Sequence, residues 1–140
     1  MALVHEAFVL EPLDPRHNDR DYAAWTNSLD HIRSTPGFPD GGWPREMTPD
    51  ENRDDLKRHA RDFASRKGFT YTVVGADDGD VIGCVYIYPL TGESGAQVQS
   101  WVRADRAALD VPLAEAVAAW LEDAWPFERI EYSGRPTLSR

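Results

Sequence analysis

Two runs rich in β-branched and aromatic residues, Phe69-Thr70-Tyr71-Thr72-Val73-Val74 and Val81-Ile82-Gly83-Cys84-Val85-Tyr86-Ile87-Tyr88, stand either side of Asp77-Asp78-Gly79. That composition favours strands, and a glycine supplies the positive φ a tight turn needs. The pair is therefore predicted as an antiparallel hairpin. A third strand is expected over residues 96–102, where apolar and polar residues alternate before two apolar ones. A helix from near Pro112 follows, its apolar stripe running through Leu113, Val117, Trp120, Leu121 and Ala124. Residues 129–132 read as a last strand. Three strands in succession, then a helix crossing to a fourth, define an α+β chain whose sheet is mostly antiparallel, with a parallel pair only across the crossover.

The first half adds one strand and two helices. Residues 8–13 form a short strand stopped by Pro12. Asn18 or Asp19 can cap a helix that buries Tyr22, Trp25, Leu29 and Ile32. Residues 34–44 hold three prolines and three glycines and cannot be regular structure. Thr48-Pro49-Asp50-Glu51 is a capping box with proline at the first helical position, opening a helix expected to reach Lys67 and stop at Gly68. The full order is β-α-α-β-β-β-α-β, a single domain over residues 1–140 that ends just after its fifth strand.

Charge narrows the partners. With a formal charge of −9 and carboxylates spread along the chain, the surface is a poor match for nucleic acid or anionic membranes. An acidic protein offers a cleft to a cationic amine more readily than to an acid. No apolar run reaches the ~20 residues of a membrane span, the first residues lack a basic signal region, and a cytoplasmic location is expected. Cys84 is the one cysteine and sits in the most apolar strand, where packing is the expected role. The four histidines have no metal-ligand spacing, so no metal is expected.

Particular segments, Phe69-Thr70-Tyr71-Thr72-Val73, Gly83-Cys84-Val85-Tyr86-Ile87-Tyr88-Pro89, Trp101-Val102-Arg103 and Trp125-Pro126-Phe127-Glu128-Arg129-Ile130, resemble a short bacterial branch of the GCN5-related N-acetyltransferase (GNAT) superfamily. The element order agrees with that fold through its fifth strand; the family's closing helix and hairpin are expected to be missing. The resemblance implies an acyl-CoA-dependent N-acyltransferase moving an acetyl group from acetyl-CoA to a small amine or a peptide amine. In the family the fourth strand runs into Val-x-x-x-x-Arg-Gly-x-Gly-x-Gly/Ala, whose amides and helix end hold pyrophosphate. Laid over this chain from Val102, the arginine position holds Ala107 and the small positions hold Ala108, Asp110 and Pro112. An ordinary capped helix without a phosphate site is an equal reading of that loop. The alternative function is a non-catalytic module of the same fold that binds another ligand or dimerises.

Within that resemblance, Trp101, Val102, Arg103, Arg106, Ala107, Ala108 and Asp110 are the candidate cofactor-binding residues, Arg103 and Arg106 replacing the missing charge from the flank. Tyr132, at the end of the last strand, is the candidate acid for a leaving thiolate. His31 is the candidate base, with Arg33 and Trp43 as candidate substrate contacts in or beside the Pro/Gly loop. Gln97 and Gln99 stand where a carboxylate base would be useful and take no proton at neutral pH. Trp43, His31, Arg33 and Tyr132 are expected to face one cleft floored by the amides near residues 101–103. A sheet ending at its fifth strand leaves an open edge, so a homodimer built on that strand and residues 125–127 is expected.

Overall fold

The computed structural model describes residues 3–38, 42–92 and 94–139; the middle of the predicted Pro/Gly loop, residues 39–41, lies outside them. Its order is β1 (Phe8–Pro12), α1 (Asn18–Thr26), α2 (Leu29–Ser34), α3 (Pro49–Ala64), β2 (Phe69–Gly75), β3 (Val81–Pro89), β4 (Gly95–Val102), α4 (Asp110–Ala124), β5 (Arg129–Tyr132) and β6 (Leu138–Ser139). Short 3₁₀ helices at Pro15–His17 and Ala104–Leu109 precede α1 and α4. The strands form one sheet in sequence order. All neighbours are antiparallel except β4 and β5, which are parallel across the α4 crossover. No helix among the described residues is long and apolar enough to cross a membrane.

Two cores sit on opposite faces of this sheet. Side chains alternate along a strand, so Ala96, Val98 and Val102 of β4 join Val85, Ile87, Ile130 and Tyr132 under Leu113, Val117 and Leu121 of α4. The other set, Cys84 of β3 and Trp101 of β4, packs with Trp25, Ile32, Phe38 and Leu56 from the α1–α3 side. Each fully buried aliphatic side chain contributes roughly 1.5–3 kcal/mol.

Three local expectations change. The first predicted helix is two, because Thr26 Oγ1 and Asn27 Nδ2 bond the carbonyls of Tyr22 and Ala23; such side chains compete with the helical ladder and end α1. Ser28 Oγ then accepts the Ala104 N–H at 2.9 Å. Helix α3 stops at Ala64 rather than Lys67, with Arg66 at φ 62° closing it. The chain also does not stop at its fifth strand. Gly134 takes φ 84°, the tail turns back, and Leu138 pairs with Ile130. β6 covers the edge on which the expected dimer rested. Phe127 is buried in the α4-side core and Trp125 packs against it, so that segment is no free patch either.

Candidate functional site

β4 and β5 part company. Their ladder runs from Gly95/Arg129 to Val98/Tyr132 and closes with the Ser133 N–H on the Val98 carbonyl at 2.9 Å, while β4 continues to Val102. Because successive residues point their N–H groups to opposite sides, and Arg103 N–H donates to Ile82 of β3, the amides of Ser100 and Val102 face the gap. Those of Trp101 and Arg103 face β3.

A cavity lies on each side of this gap. The larger, about 600 Å³, opens on the α1–α3 face between Phe38, Trp43 and Arg45 of the loop, Asp55, Arg58 and His59 of α3, Tyr86 and Tyr88 of β3, and Gln97 and Gln99 of β4. The smaller, about 230 Å³, lies at the start of α4, between His31, Ser100, Asp110, Tyr132, Ser133 and Arg135. They approach each other at Gly37. A Cβ built there would stand 2.9 Å from Gln99 Oε1 and 3.0 Å from Ser133 Oγ, and its φ of 98° is one only glycine adopts freely. Glycine at 37 keeps this septum thin.

The expected single cleft does not form. Tyr132 belongs to the α4 face and Trp43 packs against the opposite one, with Trp25, Tyr86 and Trp101 around it. Trp43 lines the larger cavity; His31 and Tyr132 line the smaller. Arg33 lines neither, its guanidinium donating to the Pro44 carbonyl at 3.3 Å. Tyr132 is buried, its hydroxyl 2.6 Å from Ser100 Oγ, and burial pushes its pKa up to about 12, so it stays a proton donor at neutral pH. His31 Nε2 lies 2.7 Å from Asp110 Oδ2 with angles short of a hydrogen bond; it meets a carboxylate of the smaller cavity, not the larger cavity.

The loop after β4 is also not the expected flank of charge. Arg103 pairs with Asp105 at 3.0 Å and Arg106 with Asp78 at 2.6 Å. Ala107 and Ala108 are exposed in a pair of 3₁₀ turns kinked at Arg106, where the Arg106 and Asp110 N–H groups bond the carbonyls of Arg103 and Ala107 and the Ala104 N–H bonds Ser28 Oγ. Trp101 is core, with its indole N–H on Tyr86 Oη at 3.1 Å. Asp110 starts α4 with its carboxyl in the smaller cavity. Burial raises its pKa, opposed by His31 and by the Val102 N–H. Of the seven candidate cofactor residues, only Asp110 lines that cavity. Its unpaired cation among the described residues is Arg135, from the turn after β5.

Sequence reasoning missed the polar wall of the larger cavity. Asp55, Arg58 and His59 line it and, with Asp62, follow i, i+3, i+4, i+7 spacing on one face of α3, opposite Tyr86 and Tyr88 at strand spacing on β3; that double periodicity was the available signal. His59 is only 8% exposed. Its Nδ1 lies 3.1 Å from Thr70 Oγ1 and 3.0 Å from Tyr88 Oη, and Tyr88 donates to Asp62 Oδ2 at 3.1 Å. The Tyr88 oxygen is then left to accept from Nδ1–H, which leaves the lone pair on Nε2, where Arg58 Nη2 donates weakly at 3.4 Å and Asp55 Oδ2 lies at 3.7 Å. Burial lowers the His59 pKa, with Asp55 pulling the other way.

Residues 8–136 match the family model described as an acetyltransferase (GNAT) domain, and the chain belongs to that family. A search of curated proteins finds no match. Among solved structures the fold is similar to the ribosomal-protein-S5-alanine acetyltransferase of Vibrio fischeri, at 13% identity and TM-score 0.74 over 94% of this chain and 73% of that one. It is likewise similar to a Salmonella typhimurium acetyltransferase that modifies the N-terminal serine of ribosomal protein L7/L12, at 8% identity and TM-score 0.73, covering 93% and 73%. A third similar structure, a ribosomal L7/L12 α-N-protein acetyltransferase at 10% identity and TM-score 0.75 over 93% and 72%, holds coenzyme A.

Proposed function

We propose that this protein transfers an acetyl group from acetyl-CoA to a primary amine. The observation that carries the reading is the parting of β4 from β5, with a cavity on each side of the gap and a thin septum at Gly37, Gln99 and Ser133. Amine acetylation and coenzyme A binding in proteins of the same fold support it. The smaller cavity suits the thiol end of acetyl-CoA: it is narrow, floored by the Ser100 amide and walled by a protonated Tyr132. Its phosphate end would meet Arg135 rather than a glycine-rich cradle, with the Asp110 carboxyl opposing it.

Acetyl-CoA supplies the acyl carbon and a thiol leaving group. The chain's own groups then divide the work. The Ser100 N–H is placed to donate to the carbonyl oxygen as negative charge develops there. His59, neutral at pH 7, accepts the proton the ammonium must lose before its lone pair can attack. As the carbon–sulfur bond breaks and its electron pair stays on sulfur, the Tyr132 hydroxyl gives sulfur a proton; the new amide nitrogen sheds its second proton to water, and water reprotonates Tyr132. A thermal melt with acetyl-CoA tests the reading, because a ligand that binds only the folded chain stabilises it by about 2.7 kcal/mol at a hundred times Kd. An upward shift of several degrees is expected; no shift at millimolar acetyl-CoA overturns it.

A further inference from the structure

The larger cavity differs in sign from the protein around it. The chain carries −9, yet the charged side chains lining the cavity are two arginines and one aspartate, with His59 held neutral by burial. Arg58 is already answered, by Asp55 at 2.6 Å and Asp62 at 3.8 Å. Arg45 forms no salt bridge among the described residues: its hydrogen bond there is to the Glu46 carbonyl at 3.2 Å, and Glu51 feels its charge only at a distance. Beside it, Phe38, Trp43 and Tyr86 pack edge to face on one another, their ring centroids 5.8 to 6.5 Å apart, and form an aromatic wall of the cavity that Met47 and the two glutamines extend. A guanidinium free of any salt bridge next to an aromatic wall recognises an apolar body that carries an anion, whatever the charge of the chain as a whole.

Resting on the acetyltransferase reading, we propose that the acceptor is a free amino acid with an aromatic or bulky apolar side chain. Its carboxylate pairs with Arg45, its side chain lies in the cavity against the Phe38–Trp43–Tyr86 wall, and its amine points toward Gln99 and the gap. A single planar guanidinium suits a carboxylate, which it can hold through two parallel hydrogen bonds. The volume is of the size that encloses small ligands. A polypeptide N-terminus would bring an amide where this carboxylate sits and leave Arg45 unanswered.

Calorimetric titration of the whole chain with L-phenylalanine, L-phenylalaninamide and phenethylamine separates these cases. Phenylalanine is expected to bind about tenfold more tightly than the two ligands lacking the carboxylate, a difference of the size one charge-assisted pair gives. Arg45→Gln should bring all three to the same weak level, and Arg45→Lys should restore part of the preference. Arg45 is exposed, so neither change threatens folding. Equal or tighter binding of phenylalaninamide assigns the cavity to a polypeptide N-terminus and overturns the proposal. So does a failure of all three to bind at about 10 mM, or a phenylalanine preference that survives Arg45→Gln. Titrating acetyl-CoA into the same samples tests the underlying reading by itself: phenylalanine bound without acetyl-CoA would leave the amino-acid site and remove the transferase.

Discussion

At the scale of single residues, the proposed reaction divides its protons between two faces of the sheet. His59 sits by the acceptor cavity and Tyr132 by the acyl side, so their variants should fail differently. His59→Gln should lower kcat by roughly 10²–10⁴-fold and leave acetyl-CoA affinity unchanged; steady-state rates beside a binding titration check this. The sign of the pH dependence follows from burial. The folded His59 pKa lies below the ordinary value, the neutral form is the active one, and kcat/KM should fall as pH drops through a value under 6.5. An acidic limb centred above 7 would point to another group. Asp110 gives a prediction on the cofactor side. Its carboxyl stands where phosphate charge would approach, so Asp110→Asn should tighten acetyl-CoA binding, by about tenfold if roughly 1.4 kcal/mol of repulsion is removed; weaker binding would show that Asp110 organises the site through His31.

At the scale of elements, the acceptor cavity depends on how α1 and α3 are fixed to each other. A buried polar cluster does this. Asn52 Nδ2 donates to Asn18 Oδ1 at 2.9 Å and to Asp21 Oδ2 at 3.0 Å, while Trp25 Nε1 donates to Asn52 Oδ1 at 3.1 Å. Burial raises the Asp21 pKa to about 6, with the Asn52 bond opposing. A folded-state pKa above the unfolded one means that the native chain holds the extra proton, so stability is highest below about pH 4 with respect to this group and declines as pH rises toward 6. At pH 7.5 the ionised form costs about 3 kcal/mol. Asp21→Asn should therefore stabilise the protein near neutrality and flatten urea-derived stability between pH 4 and 6; an unchanged slope would contradict the assignment. The elements themselves were largely legible. The capping box at Thr48, the Asp77-Asp78-Gly79 turn and the α4 stripe are local signals, and local signals survive folding. The break after Thr26 and the return of the tail as β6 depend on side chains diverted to backbone and on a pairing across a turn, which periodicity does not register.

At the scale of the whole molecule, topology was readable and the assembly of the site was not. The crossover by α4 announced a parallel β4–β5 pair, and with it a place where strands could separate. Which side chains gather there depends on strand parity and loop path. One-residue alternation on β4 sends Trp101 into the α1–α3 core and Ser100 toward the gap, so Tyr132 and Trp43 fall on opposite faces. The Asp55–Arg58–His59–Asp62 stripe reads as a solvated helix face until Tyr86 and Tyr88 are set against it. Net charge is silent here too, since a sum over the chain carries no information about the lining of one cavity.

The central claim is that the gap beside β4 receives the acyl donor and that the two cavities serve one reaction. Amide chemical-shift mapping with coenzyme A tests it most directly. The account predicts that added coenzyme A perturbs Ser100, Val102, Ala114, Ser133, Gly134 and Arg135, and that Gly37 at the septum moves with them. No perturbation at millimolar coenzyme A, or one confined to residues away from β4, the start of α4 and the turn after β5, would contradict it.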